Sequence, residues 1–312
     1  MDRGDRFRSA FLEAVGESLG EGTKLSELSN FRIGGRADFV FEARTNDGLK
    51  KAIALARREK FPFYVIGGGF NILFDDDGYR GLIVRNLAEE VEYRNGRLIA
   101  SSGTGLPSLL KSARGQSLTG LEFLAGIPGT LGGALFSNAG AFGQSIGEAV
   151  EEAVLLGTEG REQRISGRDF GFAYRRSLLQ EKHSVILEAS LVVAPGDGRS
   201  SDVKVRDFLE RRRTKHPPWG TACAGSYFKN PCSADGQRVA AGRLLEQAGA
   251  KGLSVGGAVV YEEHGNFILN AGDATARDVL LLAQELKERV LKMFGVALEE
   301  EVVYLPATAS MS

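Results

Sequence analysis

The 312 residues carry 39 Lys and Arg against 40 Asp and Glu, a formal net charge of -1, and 43% of them are hydrophobic. That balance offers no basic field to draw a nucleic acid, and no run of ~18 apolar residues is present to cross a membrane. Two cysteines, Cys223 and Cys232, stand apart from any Cys/His cluster, which excludes a disulfide framework and a zinc site, and the charged N-terminal stretch lacks the apolar core of a signal peptide. A cytoplasmic globular protein of two or three compact units is expected.

In chain order, apolar Phe7, Phe11, Leu12, Val15 and Leu19 have the spacing of an amphipathic helix. Ala37–Ala43 reads as a strand, 46–60 as a helix with apolar Leu49, Ile53, Leu55 and Ala56, and 62–66 as a buried strand, together a β-α-β step. Short strands at 91–93 and 97–101, a helix over 107–114, a glycine-rich tract to Gly143, and strands at 152–156 and 185–193 follow as a second α+β unit. The polar, turn-forming stretch 194–201 reads as a linker. Beyond it lie a basic helix over 202–215 and a Pro217-Pro218 stop. A long helix over 275–294 then places Val279, Leu282, Leu286, Val290 and Met293 on one stripe, with Thr275 as N-cap and Gly295 as stop. A strand over 298–305 ends the chain. The expected units are 1–88, 89–200 and 201–312.

Glycine supplies 41 residues of 312, where about 7% is usual, and it follows no collagen-like period. Such an excess serves local backbone needs, a positive φ or a close approach to a ligand. Gly67-Gly68-Gly69-Phe70-Asn71 follows directly on the strand expected at 62–66, so its consecutive N–H groups can turn toward an anion. The spacing fits neither GxGxxG nor GxxxxGK[ST], and a plain tight turn is the other reading. The second cluster runs Ala125-Gly126-Ile127-Pro128-Gly129-Thr130-Leu131-Gly132-Gly133, then Asn138-Ala139-Gly140. Two tracts in two units can clamp an extended phosphate-bearing ligand; close helix packing accounts for them equally.

These two tracts resemble the pyrophosphate-contacting loops of FAD enzymes of the vanillyl-alcohol-oxidase type, and in particular those of the UDP-N-acetylenolpyruvoylglucosamine reductases. Asn30-Phe31-Arg32-Ile33-Gly34-Gly35, Tyr174-Arg175-Arg176-Ser177, Gly225-Ser226-Tyr227-Phe228-Lys229-Asn230-Pro231, His264-Gly265-Asn266-Phe267-Ile268-Leu269-Asn270 and Leu298-Glu299-Glu300-Glu301-Val302 resemble further family segments in the family's order. The likeness spans residues 25–304, and the chain resembles the shorter class, without the insert after Tyr-Arg-x-Ser.

The resemblance implies an α+β fold: a two-part FAD-binding region of the vanillyl-alcohol-oxidase type and a C-terminal α+β substrate-binding domain. It implies FAD held without a covalent bond at Gly67, Gly68, Gly69, Phe70, Asn71, Gly126, Ile127, Pro128, Gly129, Thr130, Gly133, Asn138 and Gly140. NADPH is the implied hydride donor and UDP-N-acetylglucosamine enolpyruvate the implied small-molecule substrate. No metal, nucleic-acid partner or membrane span is expected, and a monomer is.

For the chemistry, the resemblance gives Arg175 the substrate carboxylate, which a guanidinium's rigid fork of donors suits. It gives Ser226 the proton donated to the reduced substrate; a serine hydroxyl is a weak acid and needs neighbours that stabilise charge. In the last strand, alternation separates Glu300 from Glu299 and Glu301 and leaves all three open; the resemblance selects Glu301, where apolar neighbours would raise a carboxyl pKa. Tyr174, Arg213, Lys229 and Asn230 are the implied substrate contacts, although Arg213 stands in a run with Arg211 and Arg212 that otherwise reads as a solvated helix face. His264 reads as structural. Phe70 in place of serine, His216 before Pro217 and Tyr261 in place of serine depart from the family pattern. The alternatives are an FAD-dependent oxidase of the same fold and a non-catalytic relative that binds flavin or a UDP-sugar.

Overall fold

The computed structural model describes residues 2–182, 184–232 and 236–308. The first helix, Arg3–Val15, starts where the Asp2 carboxylate accepts the Asp5 N–H and stops at Gly16 in the left-handed region. Phe7 and Phe11 are buried, and Phe7 stacks on Phe61 with ring centroids 3.9 Å apart. Leu12 of the expected stripe is exposed, and Leu19 lies past the helix end.

The helix Asn46–Arg58, capped by the Thr45 hydroxyl, buries Leu49, Ile53, Leu55 and Ala56 as expected. Its flanking strands, Ala37–Ala43 and Phe63–Ile66, are not neighbours. Tyr79–Asn86 lies between them and pairs in parallel with both. The β-α-β step is thus completed by a strand absent from the sequence reading, in which Arg80, Gly81 and Arg85 interrupt the apolar run.

In the second unit an antiparallel five-stranded sheet runs in the order Glu162–Ser166, Val150–Leu156, Val185–Val192, Arg97–Ser101, Val91–Arg94. Leu98, Leu109, Phe123, Leu135, Ile146 and Phe170 belong to its core. The linker expected at 194–201 is corrected by this structure. Ala194–Pro195 pairs with Leu118–Thr119, and Asp197 accepts the N–H groups of Arg199 and Ser200, which starts the helix Gly198–Arg213. An N-cap and a linker use the same polar residues, and here capping wins. Val205 of this helix is buried in the second unit's core, and Asp202 pairs with Arg114.

The third unit holds a small sheet, Ser254–Val255, Ala258–Val260 and Ile268–Asn270, and the helices Ala241–Gln247 and Ala276–Phe294. Thr275 and Asp278 form a reciprocal capping box, and Gly295 ends the long helix at φ 67°. Val279, Leu282, Leu286 and Val290 are buried, whereas Met293 is 57% exposed, because the apolar stripe runs one turn past the layer it covers. Leu286→Ala is expected to destabilise the fold by about 2–5 kcal/mol, measured as a shift in chemical denaturation; a change under ~1 kcal/mol would show that this helix is not part of the cooperative core.

The last strand is shorter than expected. Only Val303–Leu305 is regular, and it pairs in parallel with Ile72–Phe74, directly after the first glycine loop. Residues 298–302 instead run beside 227–229: Lys229 N–H donates to Glu299 O at 2.8 Å and Glu301 N–H to Tyr227 O at 2.8 Å. Among the described residues, no helix is long and apolar enough to cross a membrane, and no group of three or more His, Cys, Asp or Glu could hold a metal ion.

Candidate active site

A cavity of about 930 Å³ opens where the three units meet, lined by both glycine tracts together with Arg175, Ser226 and Glu301. The tracts touch each other: a Cβ at Gly67 would lie 2.3 Å from Thr130 Oγ1, and one at Gly68 would lie 3.5 Å from Gly129 Cα. Gly69 has φ 72°, and a Cβ there would stand 1.9 Å from the Leu28 carbonyl oxygen. Gly129, at φ 117°, faces open space. The glycines therefore divide between packing and an exposed backbone.

Other expected flavin contacts prove busy with the protein itself. Asn71 donates its side-chain N–H to Glu301 O at 3.0 Å and accepts the Val303 N–H at 3.1 Å, tying the first loop to the last strand. Thr130 caps the helix Leu131–Ser137 by accepting the Gly133 N–H. Asn138, left-handed at φ 46°, accepts the Gly147 N–H and donates to Ala173 O. Gly140 O accepts from Arg175 Nη2 at 3.1 Å. Asn138 and Gly140 thus hold the turn that presents Arg175, itself left-handed at φ 53°. Ile127, Pro128 and Phe70 line the cavity.

Arg175 Nε lies 2.6 Å from Glu301 Oε1, an ion pair with side chains 21% and 17% exposed. Burial pushes the Glu301 carboxyl above its ordinary value, while Arg175 and Lys229 pull the other way without cancelling it. Of the arginine run, Arg213 is 79% exposed and pairs with Glu210 at 3.0 Å. Arg212 is the buried one. Burial, with Arg175 nearby, lowers its pKa to about 10, and its Nε has no hydrogen-bond partner among the described residues. The signal for this was in the sequence: Ser201, Val205, Phe208 and Arg212 follow helical spacing, and the first three pack inward.

Tyr174, Lys229 and Asn230 come together beside the cavity instead of lining it. Asn230 N–H donates to Tyr174 Oη at 3.2 Å, Asn230 Oδ1 accepts the Ala241 N–H at 2.9 Å, and Lys229 pairs with Glu299. The three departures from the family pattern, Phe70, His216 and Tyr261, all line the cavity. Burial, with positive Arg212 near, lowers the His216 pKa to about 4, so that ring is neutral at physiological pH. His264 accepts the Asn266 N–H through Nδ1 at 3.1 Å, which fits a structural role.

Over 280 residues the chain is 40% identical to UDP-N-acetylenolpyruvoylglucosamine reductase 2 of Symbiobacterium thermophilum, covering 89% of each sequence. It belongs to the UDP-N-acetylenolpyruvoylglucosamine reductase family. The family's C-terminal domain matches residues 217–305, and an FAD binding domain matches 37–166. The reductase of Clostridioides difficile is 39% identical over 279 residues, 88% of this chain and 90% of that one. Among solved structures, UDP-N-acetylenolpyruvylglucosamine reductase of Thermus caldophilus superposes with a TM-score of 0.77 at 30% identity, covering 91% of this chain and 98% of that one. The fold class of these reductases, a two-part FAD-binding region with a C-terminal α+β domain, is therefore that of this chain.

The residues present fit FAD. The cavity lies at the upper end of the ~300–1,000 Å³ of small-ligand sites. Gly129 leaves backbone open to it, and the unpartnered Arg212 Nε is a buried donor suited to an anion. Neither glycine tract contains a His or Cys for covalent attachment.

Proposed function

We propose that this chain is an NADPH-dependent flavoenzyme that reduces the enolpyruvyl group of UDP-N-acetylglucosamine enolpyruvate, giving the peptidoglycan precursor UDP-N-acetylmuramate. The observation that carries this reading is the convergence of Arg175, Ser226 and Glu301, from three distant segments, on the one cavity that both glycine tracts line. We place the flavin-binding halves at 1–88 and 89–213, because the helix Gly198–Arg213 packs on the second unit, and the substrate-binding part after that helix, with the protein a cytoplasmic monomer.

When bound, FAD supplies the hydride chemistry between NADPH and the enolpyruvyl substrate. The chain's own residues orient and stabilise. Arg175, held by Asn138 and Gly140, offers its fork of N–H donors to the substrate carboxylate. Glu301, with a raised pKa, stands beside that guanidinium to stabilise the charge that spreads from the carbon bearing the carboxylate into the carboxylate once the methylene carbon has taken the hydride. The Ser226 hydroxyl gives the proton to the carbon next to the carboxylate. Arg212 would hold the flavin's diphosphate, and Lys229 with Tyr174, beside the cavity, would meet the substrate as it enters. Of the run Arg211–Arg213, it is Arg212 and not Arg213 that the burial favours.

An anaerobic stopped-flow trace at the flavin's long-wavelength band tests the reading. NADPH is expected to bleach the yellow protein, and the enolpyruvyl substrate to restore the colour. Recovery only with oxygen would favour an oxidase, and absence of bleaching a non-catalytic binder. A second readout needs no turnover. Trp219, the chain's one tryptophan, is 76% exposed on the cavity wall. Its emission in the holoenzyme is expected to change as the UDP-sugar substrate is titrated in; constant emission through saturation would place the nucleotide away from this mouth.

A further inference from the structure

Proton delivery from Ser226 requires that its hydroxyl be held in register with the Arg175–Glu301 pair, yet residues 226–229 lie in no regular sheet. On one side the segment is fixed by the Tyr227 and Lys229 bonds to 299–301. On the other side stands Asn266, 4% exposed. Its backbone oxygen accepts the Tyr227 N–H at 2.8 Å. Its side chain takes both polar groups of the next residue: Oδ1 accepts the Phe228 N–H at 2.9 Å, and Nδ2 donates to Phe228 O at 2.9 Å. A single carboxamide thereby substitutes for a flanking strand. The Asn266 N–H is in turn fixed on His264 Nδ1, and that ring packs edge-on against Phe267 with centroids 5.0 Å apart. Asn266 lines no part of the cavity.

We infer that Asn266 is a positioning residue for the oxidative half-reaction: it sets the register of Ser226 against Glu301 through the backbone of Phe228. This rests on the reading of Ser226 as proton donor. Only a carboxamide both accepts the N–H of one residue and donates to its carbonyl at this place. Asn266→Asp keeps size and shape, but it loses the Nδ2–H donor and sets a carboxylate oxygen against the Phe228 carbonyl. The displaced backbone carries Ser226, one residue before the Tyr227 bond.

The test compares wild type, Asn266→Asp and Ser226→Ala as FAD-loaded proteins. Asn266→Asp is expected to retain flavin and to be reduced by NADPH within about twofold of wild type. Its reoxidation at saturating enolpyruvyl substrate should slow at least ~10-fold with KM little changed, the pattern of an interaction needed beyond ground-state binding. Because proton delivery then limits the step, the D2O effect on reoxidation should grow, which a general loosening of the fold would not cause. Equal slowing of both half-reactions, or slowing of neither, overturns the proposal. If Ser226→Ala fails to slow reoxidation, the reading of Ser226 fails instead. Should Asn266→Asp not fold, His264→Phe removes the acceptor for the Asn266 N–H while keeping a ring against Phe267; it is expected to slow the same half-reaction selectively, and an unselective effect counts against the proposal.

Discussion

Ser226→Ala is expected to separate the two half-reactions. Ser226 lies on the cavity wall directly after Gly225, which adopts φ 76° and has no atom within 4 Å of where its Cβ would be. Ser226 thus follows an open stretch of backbone and lines the cavity that a ligand would enter. Nothing in the oxidation of NADPH calls for a proton from this group, so bleaching by NADPH should stay near the wild-type rate. Return of colour with the enolpyruvyl substrate should slow by a factor on the order of 10² or more, as for a lost general acid. Comparable slowing of both phases in the stopped-flow trace would remove Ser226 from the proton-donor role.

Gly69→Ala is expected to cost the protein its flavin. Alanine in the left-handed region is strained by roughly 1–2 kcal/mol, and at φ 72° that strain is unavoidable. The larger effect is steric. The new Cβ would stand 1.9 Å from the Leu28 carbonyl oxygen, a backbone atom with no flexible end to swing aside. Asn30 N–H is bonded to Gly69 O at 2.9 Å, and Asn30 Nδ2 also holds the carbonyls of Thr221 at 3.1 Å and Cys223 at 2.7 Å. Any shift of the loop is therefore passed to the segment that leads to Ser226. The variant should purify with flavin content reduced about 10-fold or more and with a lower Tm, at roughly 2–4 °C per kcal/mol lost. Gly129→Ala gives the contrast: at φ 117° it too carries backbone strain, but its Cβ meets no protein atom. That variant should keep more of its Tm while still binding FAD weakly, and equal losses in both variants would refute the division of the glycines into packing and exposed positions.

Elements stabilised by near neighbours in sequence could be read directly. The helices at Asn46–Arg58 and Ala276–Phe294 carry their own caps and apolar stripes, and their positions follow from short-range spacing. Tyr79–Asn86 escaped because its burial comes from lying between two other strands, a tertiary circumstance that its mixed pattern does not announce. At 194–201 the residues that suit a linker also cap a helix, and only the packing of Val205 on the second unit decides between them.

The site divides in the same way. Arg175 and Glu301 were legible as members of short motifs, and the ion pair joining them across more than a third of the chain was not. Asn71 and Asn138 stood in glycine tracts that pointed to a ligand, yet both spend their side chains on backbone groups of other segments. A carboxamide's partners are chosen by geometry that no local pattern records. Arg212 could have been found by continuing the inward face of its helix from Ser201 through Val205 and Phe208, where composition alone suggested a solvated run.

The parallel pairing of Val303–Leu305 with Ile72–Phe74 also bears on how the protein is made. Asn71 cannot bond Glu301 until the 230 positions onward to it have been synthesised. The first two units can fold on the ribosome as they emerge, but the flavin loop must wait for residues 301–305 to leave the exit tunnel. A chain cut off before residue 301 would lack both a wall of its cavity and the strand that fixes its first loop, so an incomplete translation product should not become a partly active enzyme.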